Sequence, residues 1–313
     1  MSTYILKRLA ISVVVLFALA AASFLLIHLV PGDPVRQMLG SGATPENIAS
    51  VRSDLGLDRP MIDQFGTFMG NTFTGQFGDS ITLRTPIGDL ISERIGPSVL
   101  LILYGVFFAL IIGVPLAVAA ALRPQGFADN VIRIATTFTF AMPTFWLGLV
   151  LALIFGLQLG IFPVSGYETG VGGFFRTLTL PALTLGLSLV AMVVRTLRTQ
   201  LLVVLGSEHI EAARARGLTE RRVVGVHAIR NSIMTTITVI SVQIGFLIGG
   251  TVVLEYVFQI PGMGTLLIDA VTNRDFPLVA TITVLAGATV IVVSLITDLI
   301  QLALDPRVRL ADS

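Results

Sequence analysis

"SVLLILYGVFFALIIGVPLAVAAAL" occupies residues 98–122 and contains no charged side chain. In a helix rising about 1.5 Å per residue, about 20 apolar residues cross the roughly 30 Å of bilayer hydrocarbon, so this run is long enough to span. A backbone amide in lipid has no water to bond. That leaves helices and closed barrels as spanning structures, and the run has none of the apolar-polar alternation of a barrel strand. It reads as a transmembrane helix. Working outward, further stretches of the same kind run from Leu9 to Val30, Val131 to Leu157, Leu178 to Val194, Ile233 to Leu254 and Leu278 to Ile300. The fold class that follows is an all-α integral membrane protein of about six transmembrane helices.

Composition agrees. The chain is 54% hydrophobic and 12% charged, where a soluble domain carries roughly a quarter charged residues, and its mean hydropathy is +0.89. A formal net charge of +1 on so little solvated surface gives no basic face for nucleic acid. With no cysteine, disulfides, thiolate metal sites and cysteine nucleophiles are excluded, and His28, His209 and His227 are too scattered to suggest a ligand cluster, so no metal site is expected. Lys7 and Arg8 precede the first apolar run and Ala20, Ala21 and Ala22 lie within it, as in a signal peptide. The run continues through "FLLIHLV", longer than an ordinary signal core, and is expected to be a retained anchor.

Arginine placement sets the orientation. With a cytoplasmic N-terminus, the inside segments hold Lys7, Arg8, Arg123, Arg133, Arg195, Arg198, Arg214, Arg216, Arg221, Arg222, Arg230, Arg307 and Arg309. The outside segments hold Arg36, Arg52, Arg59, Arg84, Arg94, Arg176 and Arg274, most of them in one long segment of the kind that weighs less in such a count. Both termini are expected inside. The expected organisation is a cytoplasmic N-terminus and first helix (1–30), an extracytoplasmic segment with an amphipathic helix (31–96), and a five-helix core (97–313) that includes a cytoplasmic segment at 207–230.

That cytoplasmic segment, "EHIEAARARGLTERRVVGVHAIRNS" at 208–232, is the most polar stretch of the chain. Its spacing predicts a short helix capped by Ser207, with Glu208 and Glu211 near the positive end of the helix dipole and Gly217 as a left-handed stop. Thr219 then caps a second helix that continues into the fifth span, and Glu211 and Arg214, one turn apart, are placed to pair. A positive-inside loop that only connects does not need the small residues Ala212, Ala213 and Ala215, an acidic start and a glycine break. Those features suit a compact helix that packs into a groove of another protein.

"EAARARG" at 211–217 resembles the EAA motif of the membrane subunits of ABC importers, and "ARARGLTERRVVGVHAIRNS" resembles its form in dipeptide and oligopeptide permeases. "PGDP" at 31–34, "LGLDRP" at 55–60, "PTFWLG" at 143–148, "FPVSG" at 162–166, "IPGMGTLL" from Ile260 and "ALDPRVR" from Ala303 are similar to the same subfamily, in order, over nearly the whole chain. The match is to the first, B-type, permease subunit. The resemblance implies the type I, MetI-like permease fold and a coupling helix that docks on the ATPase through Glu208, Glu211, Ala212, Ala213, Arg214, Arg216, Gly217 and Leu218. It also implies a second homologous permease, two ATP-binding subunits that hold ATP and Mg2+, an extracytoplasmic substrate-binding protein, and a place in the bacterial cytoplasmic membrane among lipid. The chain departs from the family by lacking a proline near Arg230 or at Met234 and Thr235, which removes the usual kink at the start of the fifth span.

The residues themselves say that the driving force lies elsewhere. A Walker A loop needs a lysine after its glycines, and Lys7, at the edge of the first span, is the only lysine. Secondary transport places ionisable groups at mid-membrane, whereas His28 and Asp298 lie near span ends and Glu255 just beyond one. The chain is therefore not expected to be an enzyme or to hold a cofactor of its own. Pro115, Pro143 and Pro181 each interrupt a helix, and Gly245, Gly249 and Gly250 make a small-residue face on the fifth span, where Gln243 is expected to line the pathway. In the external segment Thr44 and Pro45 start a helix with Ile48, Val51 and Leu55 on one face and Gly56 at its end, a small amphipathic lid. The turn at Pro261, Gly262, Met263 and Gly264 either docks the binding protein or packs back as a re-entrant loop. The function that follows is import of dipeptides or oligopeptides by alternating access. Permeases for nickel, haem, sugars or another small solute, and a non-transport scaffold, stand as alternatives.

Overall fold

A computed structural model describes residues 2–29, 34–39, 43–54 and 56–304, and the regular elements among them are helices. In chain order these are α1 (Ser2–Leu29), α2 (Pro34–Leu39), α3 (Pro45–Asp54), α4 (Met61–Thr74), α5 (Ile87–Leu122), α6 (Phe127–Ala141) and α7 (Thr144–Leu151), which widens into a π-helix at Ala152–Gln158. There follow α8 (Gly170–Leu205), α9 (Glu208–Ala215), α10 (Glu220–Arg222) with a π-helical continuation at Val223–Ala228, α11 (Ile229–Phe258), α12 (Met263–Thr272) and α13 (Phe276–Leu304). "PGDP" and "ALDPRVR", with Arg307 and Arg309, fall largely outside the described residues, as do Leu55 and the side chain of His28.

Among the described residues five helices are long and apolar enough to cross a membrane: Leu6–Leu25, Ile87–Leu122, Gly170–Leu205, Thr235–Phe258 and Phe276–Leu299. The expected third span, Val131 to Leu157, is instead two helices, α6 and α7 with its π continuation, meeting at 106°. The cause is local. Met142 is held extended (φ −80, ψ 136) ahead of Pro143, whose ring disfavours a helical predecessor, and the chain restarts at Thr144 in a new direction. Pro115 and Pro181, expected to interrupt helices, lie inside α5 and α8 without ending them. Tertiary packing on both sides of Pro181, which is buried, outweighs one lost backbone bond.

The packing divides the described chain into two compact units, Met1–Gly96 with Gly262–Val292, and Pro97–Pro261 with Val293–Ser313. In the second unit α8 is the central element, packed by α6, α7 and α11. Lipid tails are as apolar as leucine, so hydrophobicity does little to bring spans together there, and close packing must do so. At the α5–α8 crossing a Cβ on Gly186 would lie 2.6 Å from Phe108 Cβ and 2.8 Å from the Gly105 carbonyl oxygen, so the helices meet backbone to backbone. Around the crossing, Leu101, Leu178, Leu185, Leu254 and Phe258 are fully buried.

Buried polar pairs supplement that packing. Arg198 on α8 forks onto Asp129 at the start of α6, Nε to Oδ1 at 2.7 Å and Nη2 to Oδ2 at 2.6 Å, and Gln125 N–H donates to the same carboxylate at 2.9 Å. Asp129 is fully buried and 18% of the Arg198 side chain is exposed. Glu255, expected beyond the fifth span, is fully buried within α11 and accepts a 2.6 Å bond from Ser98 Oγ. The helix runs on past it because its end is set by Gln259, in the left-handed region at φ 52.

In the first unit Phe17 and Phe24 of α1 meet Phe65 of α4 edge to face. Ile87, Leu90 and Ile91 pack with Leu266, Ala270, Leu278 and Ile282. Asp275, 1% exposed, accepts from Ser80 Oγ at 2.5 Å and Thr82 N–H at 3.0 Å, which ties the 79–86 turn to the start of α13. As expected, Thr44 caps α3 by accepting from Asn47 N–H at 3.3 Å, and Ile48 and Val51 are the half-buried positions of that helix.

Removing Asp129 takes away three hydrogen bonds to a carboxylate, while Arg198, 18% exposed, can still reach water, a loss of roughly 2 kcal/mol. Asp129→Ala is therefore expected to cost about that much in denaturant unfolding of the purified chain. Glu168→Ala, which breaks an exposed 3.7 Å contact with Arg176, is expected to change the same measurement by less than about 1 kcal/mol.

Candidate functional site: the segment between α8 and α11

α8 stops at Leu205, and Ser207, extended at φ −88 and ψ 150, opens α9. The expected side-chain cap is not made. Ser207 Oγ turns back to donate to the Val204 carbonyl and bonds His209 Nδ1 at 2.9 Å, since the preceding turn offers it a carbonyl at shorter range. The other end follows the expectation. Gly217 sits at φ 79, Leu218 N–H bonds the Ala213 carbonyl at 3.3 Å and Gly217 N–H bonds the Arg214 carbonyl at 2.9 Å, the paired bonds of a Schellman stop. Thr219 occupies the N-cap position of α10 without a side-chain bond; its carbonyl accepts from Arg222 and Val223.

The expected Glu211–Arg214 pair does not form. The chain reversal at Gly217 brings Glu220 closer, and Arg214 forks onto it, Nη2 to Oε1 at 2.6 Å and Nε to Oε2 at 3.2 Å. That contact holds the Glu220 carboxyl below the ordinary carboxylate range and raises Arg214. Both side chains are substantially exposed, so the pair orients the turn more than it stabilises it.

α9 is pinned on one side and open on the other. Ile210 and Ala213 are buried against Val223, with Val204 and Leu218 completing the cluster. Covering the Ile210 and Val223 side chains is worth roughly 1.5–3 kcal/mol each. Glu208, Glu211, Ala212 and Ala215, at spacings of three and four, are all exposed and form a ridge of two carboxylates and two methyl groups away from the pin. The expected alanine patch is therefore split, with Ala213 facing inward and Ala212 and Ala215 outward. Arg216 and Gly217 are exposed at the stop, and Leu218 is half-buried. In place of a proline kink, the connection to α11 is the π-helical Val223–Ala228.

The other residues singled out from sequence are placed as follows. Gln243 and Gly245 are half-buried on α11 and Gly249 is exposed; a Cβ at Gly249 or Gly250 would meet nothing. Gln243 and Gly245 lie about 200° apart around the helix, so they do not share a face. Gly262 and Gly264 are buried and Met263 is half-buried at the start of α12, where Thr265 Oγ1 accepts from Gly262 N–H at 3.0 Å. Pro261, just before them, is half-buried. Beyond them Asp269 and Val271 to Arg274 are exposed, with Arg274 at φ 55.

A family model for binding-protein-dependent transport system inner membrane components matches residues 113–310, and one for the N-terminal part of such membrane components matches residues 1–86. A probable peptide ABC transporter permease protein of Sinorhizobium fredii is 34% identical over 312 residues, 99% of this chain and 100% of its own. A putative peptide transport system permease protein of Brucella abortus is 34% identical over 99% of both chains, and so is a glutathione transport system permease protein of Escherichia coli. A chain of the inward-facing MetNI methionine ABC transporter shares the fold, with a TM-score of 0.58 at 17% identity, over 69% of this chain and 96% of that one.

Because Glu220 titrates below its ordinary value when paired, the contribution of the pair is present above about pH 4.5 and is lost as pH falls through the lowered value. Amide-exchange protection at Gly217 and Leu218 is expected to stay flat from pH 8 to pH 5, once corrected for intrinsic rates, and to fall only in stronger acid. Glu220→Gln is expected to show the acid behaviour already at pH 7.

Proposed function

The chain belongs to the binding-protein-dependent transport system inner membrane components, and from that premise we propose that it is the permease subunit of an ATP-driven importer of dipeptides or oligopeptides. Such permeases are multi-pass proteins of the inner membrane that work with an ATPase and a binding protein. For this chain the reading is more specific: both termini face the cytoplasm, and the partners are a second homologous permease, two ATP-binding subunits carrying ATP and Mg2+, and an extracytoplasmic substrate-binding protein. ATP hydrolysis belongs to those partner subunits.

The observation that carries the reading is the two-sided α9. Its inner side, Ile210 and Ala213, is locked to Val223 at the foot of the helix that continues into α11, while its outer ridge of Glu208, Glu211, Ala212 and Ala215 is free for a partner. A push on the ridge is therefore delivered to the start of a membrane span. Closure of an ATPase dimer on ATP moves α9, α11 moves with it, and the pathway changes the side to which it opens. The small side chains of Ala212 and Ala215 let a partner's groove approach closely, and Glu211 meets it with negative charge. Arg214, committed to Glu220, stiffens the turn, and Arg216 beside it is open to the partner. On this reading Gln243 of α11 borders the pathway, Gly245 and Gly249 on another side of that helix leave room for a neighbouring span, and the segment from Pro261 through Gly264 positions the external turn that meets the binding protein.

The test is a mild-detergent pull-down of the chain from its native membrane, with partners counted by mass spectrometry. ATPase subunits and a second permease are expected with the wild type. Glu211→Arg is expected to insert normally but to lose the ATPase subunits, and peptide uptake into vesicles is expected to fall at least about tenfold, the equivalent of 1.4 kcal/mol. Full ATPase recovery and normal uptake with that variant would sink the coupling role of the ridge.

A further inference from the structure

Away from α9, the second unit contains a polar cavity of about 410 Å³ between α6 and α8. Arg133, Thr136 and Thr137 of α6 face Arg195, Arg198 and Thr199 of α8 across it, and among the described residues no carboxylate lines it. Asp129 pairs with Arg198 and is also within electrostatic reach of Arg133, but three guanidiniums stand against that one carboxylate and the cavity keeps a net positive charge; neither Arg133 nor Arg195 forms a salt bridge among the described residues. Arg195, itself exposed, lies over the ring of Phe140, 5.7 Å from its centroid, a contact that favours this placement of its guanidinium. Two guanidiniums in excess and the hydroxyl of Thr137 converge on one cavity and make a receptor for a phosphate group, while Thr136 and Thr199 donate their hydroxyl hydrogens to the Ile132 and Arg195 carbonyls.

The surroundings identify which phosphate. The apolar stretch of α8 ends at Val194, so Arg195 stands where hydrocarbon gives way to headgroups. α8 has 36 residues and is about 54 Å long, well beyond the roughly 30 Å of hydrocarbon, so its arginine-bearing part has to leave the apolar layer. On α6, next to the stripe that faces the cavity, Ile134 is 71% exposed and Phe138 66% exposed. A basic cavity flanked by exposed apolar side chains at that level matches a molecule with a phosphate head and acyl tails. We propose that this cavity binds the headgroup phosphate of an anionic phospholipid, with Arg133 and Arg195 as the charged contacts and Arg198 as the fixed wall. The bound lipid bridges α6 and α8 beside the Asp129–Arg198 pair.

The experiment uses the full chain in its native assembly, purified in mild detergent and titrated with phosphatidylglycerol or with phosphatidylcholine of the same acyl chains, with bound lipid read by native mass spectrometry. Retention of phosphatidylglycerol but not phosphatidylcholine is expected, and this comparison requires no variant. The double substitution Arg133→Gln with Arg195→Gln, which leaves the Asp129–Arg198 pair intact, is expected to reduce retention at least about tenfold, and Arg133→Lys to keep most of it. Millimolar inorganic phosphate is expected not to displace the lipid. Equal retention of the two lipids, or retention untouched by the double substitution, would overturn the proposal. Displacement by inorganic phosphate would overturn it too, in favour of a free-anion site.

Discussion

A backbone amide in hydrocarbon must find its partner within its own segment, and the rest of this protein follows from that requirement. It makes each long apolar run a helix, and it leaves chain reversals to the wet side of the membrane or to places where protein surrounds them. It also moves the burden of specificity. Helices that are equally comfortable in lipid do not associate because they are apolar, so their positions are decided by where backbones approach and where a polar group finds a match. The Gly105–Gly186 contact, the Asp129–Arg198 fork and the Ser98–Glu255 bond are those decisions in the second unit.

Most of the fold was legible because hydropathy is a local property. The spans around residues 98–122, 178–194, 233–254 and 278–300 needed only their own composition, and the stop at Gly217 needed only a residue able to adopt φ 79. What could not be read depended on residues far apart or on competition between neighbours. Asp129 and Arg198 are 69 positions apart, and nothing near either one in sequence announces the other. Arg214 had an acid one turn back and another beyond the glycine. The reversal at Gly217 decided for Glu220, and that choice is three-dimensional. The third span was read as continuous because its composition is continuous. Pro143 was visible, but the same residue type at Pro181 leaves a helix whole, so the size of its effect was not.

The candidate site shows the same division. The residue types of the ridge, two acids and two alanines at helical spacing, were readable before any coordinates. Which alanine turned inward was not, because it depends on where Val223 and Leu218 lie after the chain folds back. The family relationship and the geometry are complementary: the first names a class of machine, and the second shows α9 as a short helix with one side buried and one side exposed.

Between that helix and the membrane span stands the π-helical Val223–Ala228. A π turn accommodates an extra residue relative to α winding. Absorbing that surplus into regular α geometry would advance the winding phase by one position, turning everything on its N-terminal side by about 100° relative to α11. The connection is thus a register device as well as a strut. It sets the compass bearing of Glu211 against the membrane helix, so winding the same six residues as regular α-helix would preserve every side chain of the ridge and still point it in another direction.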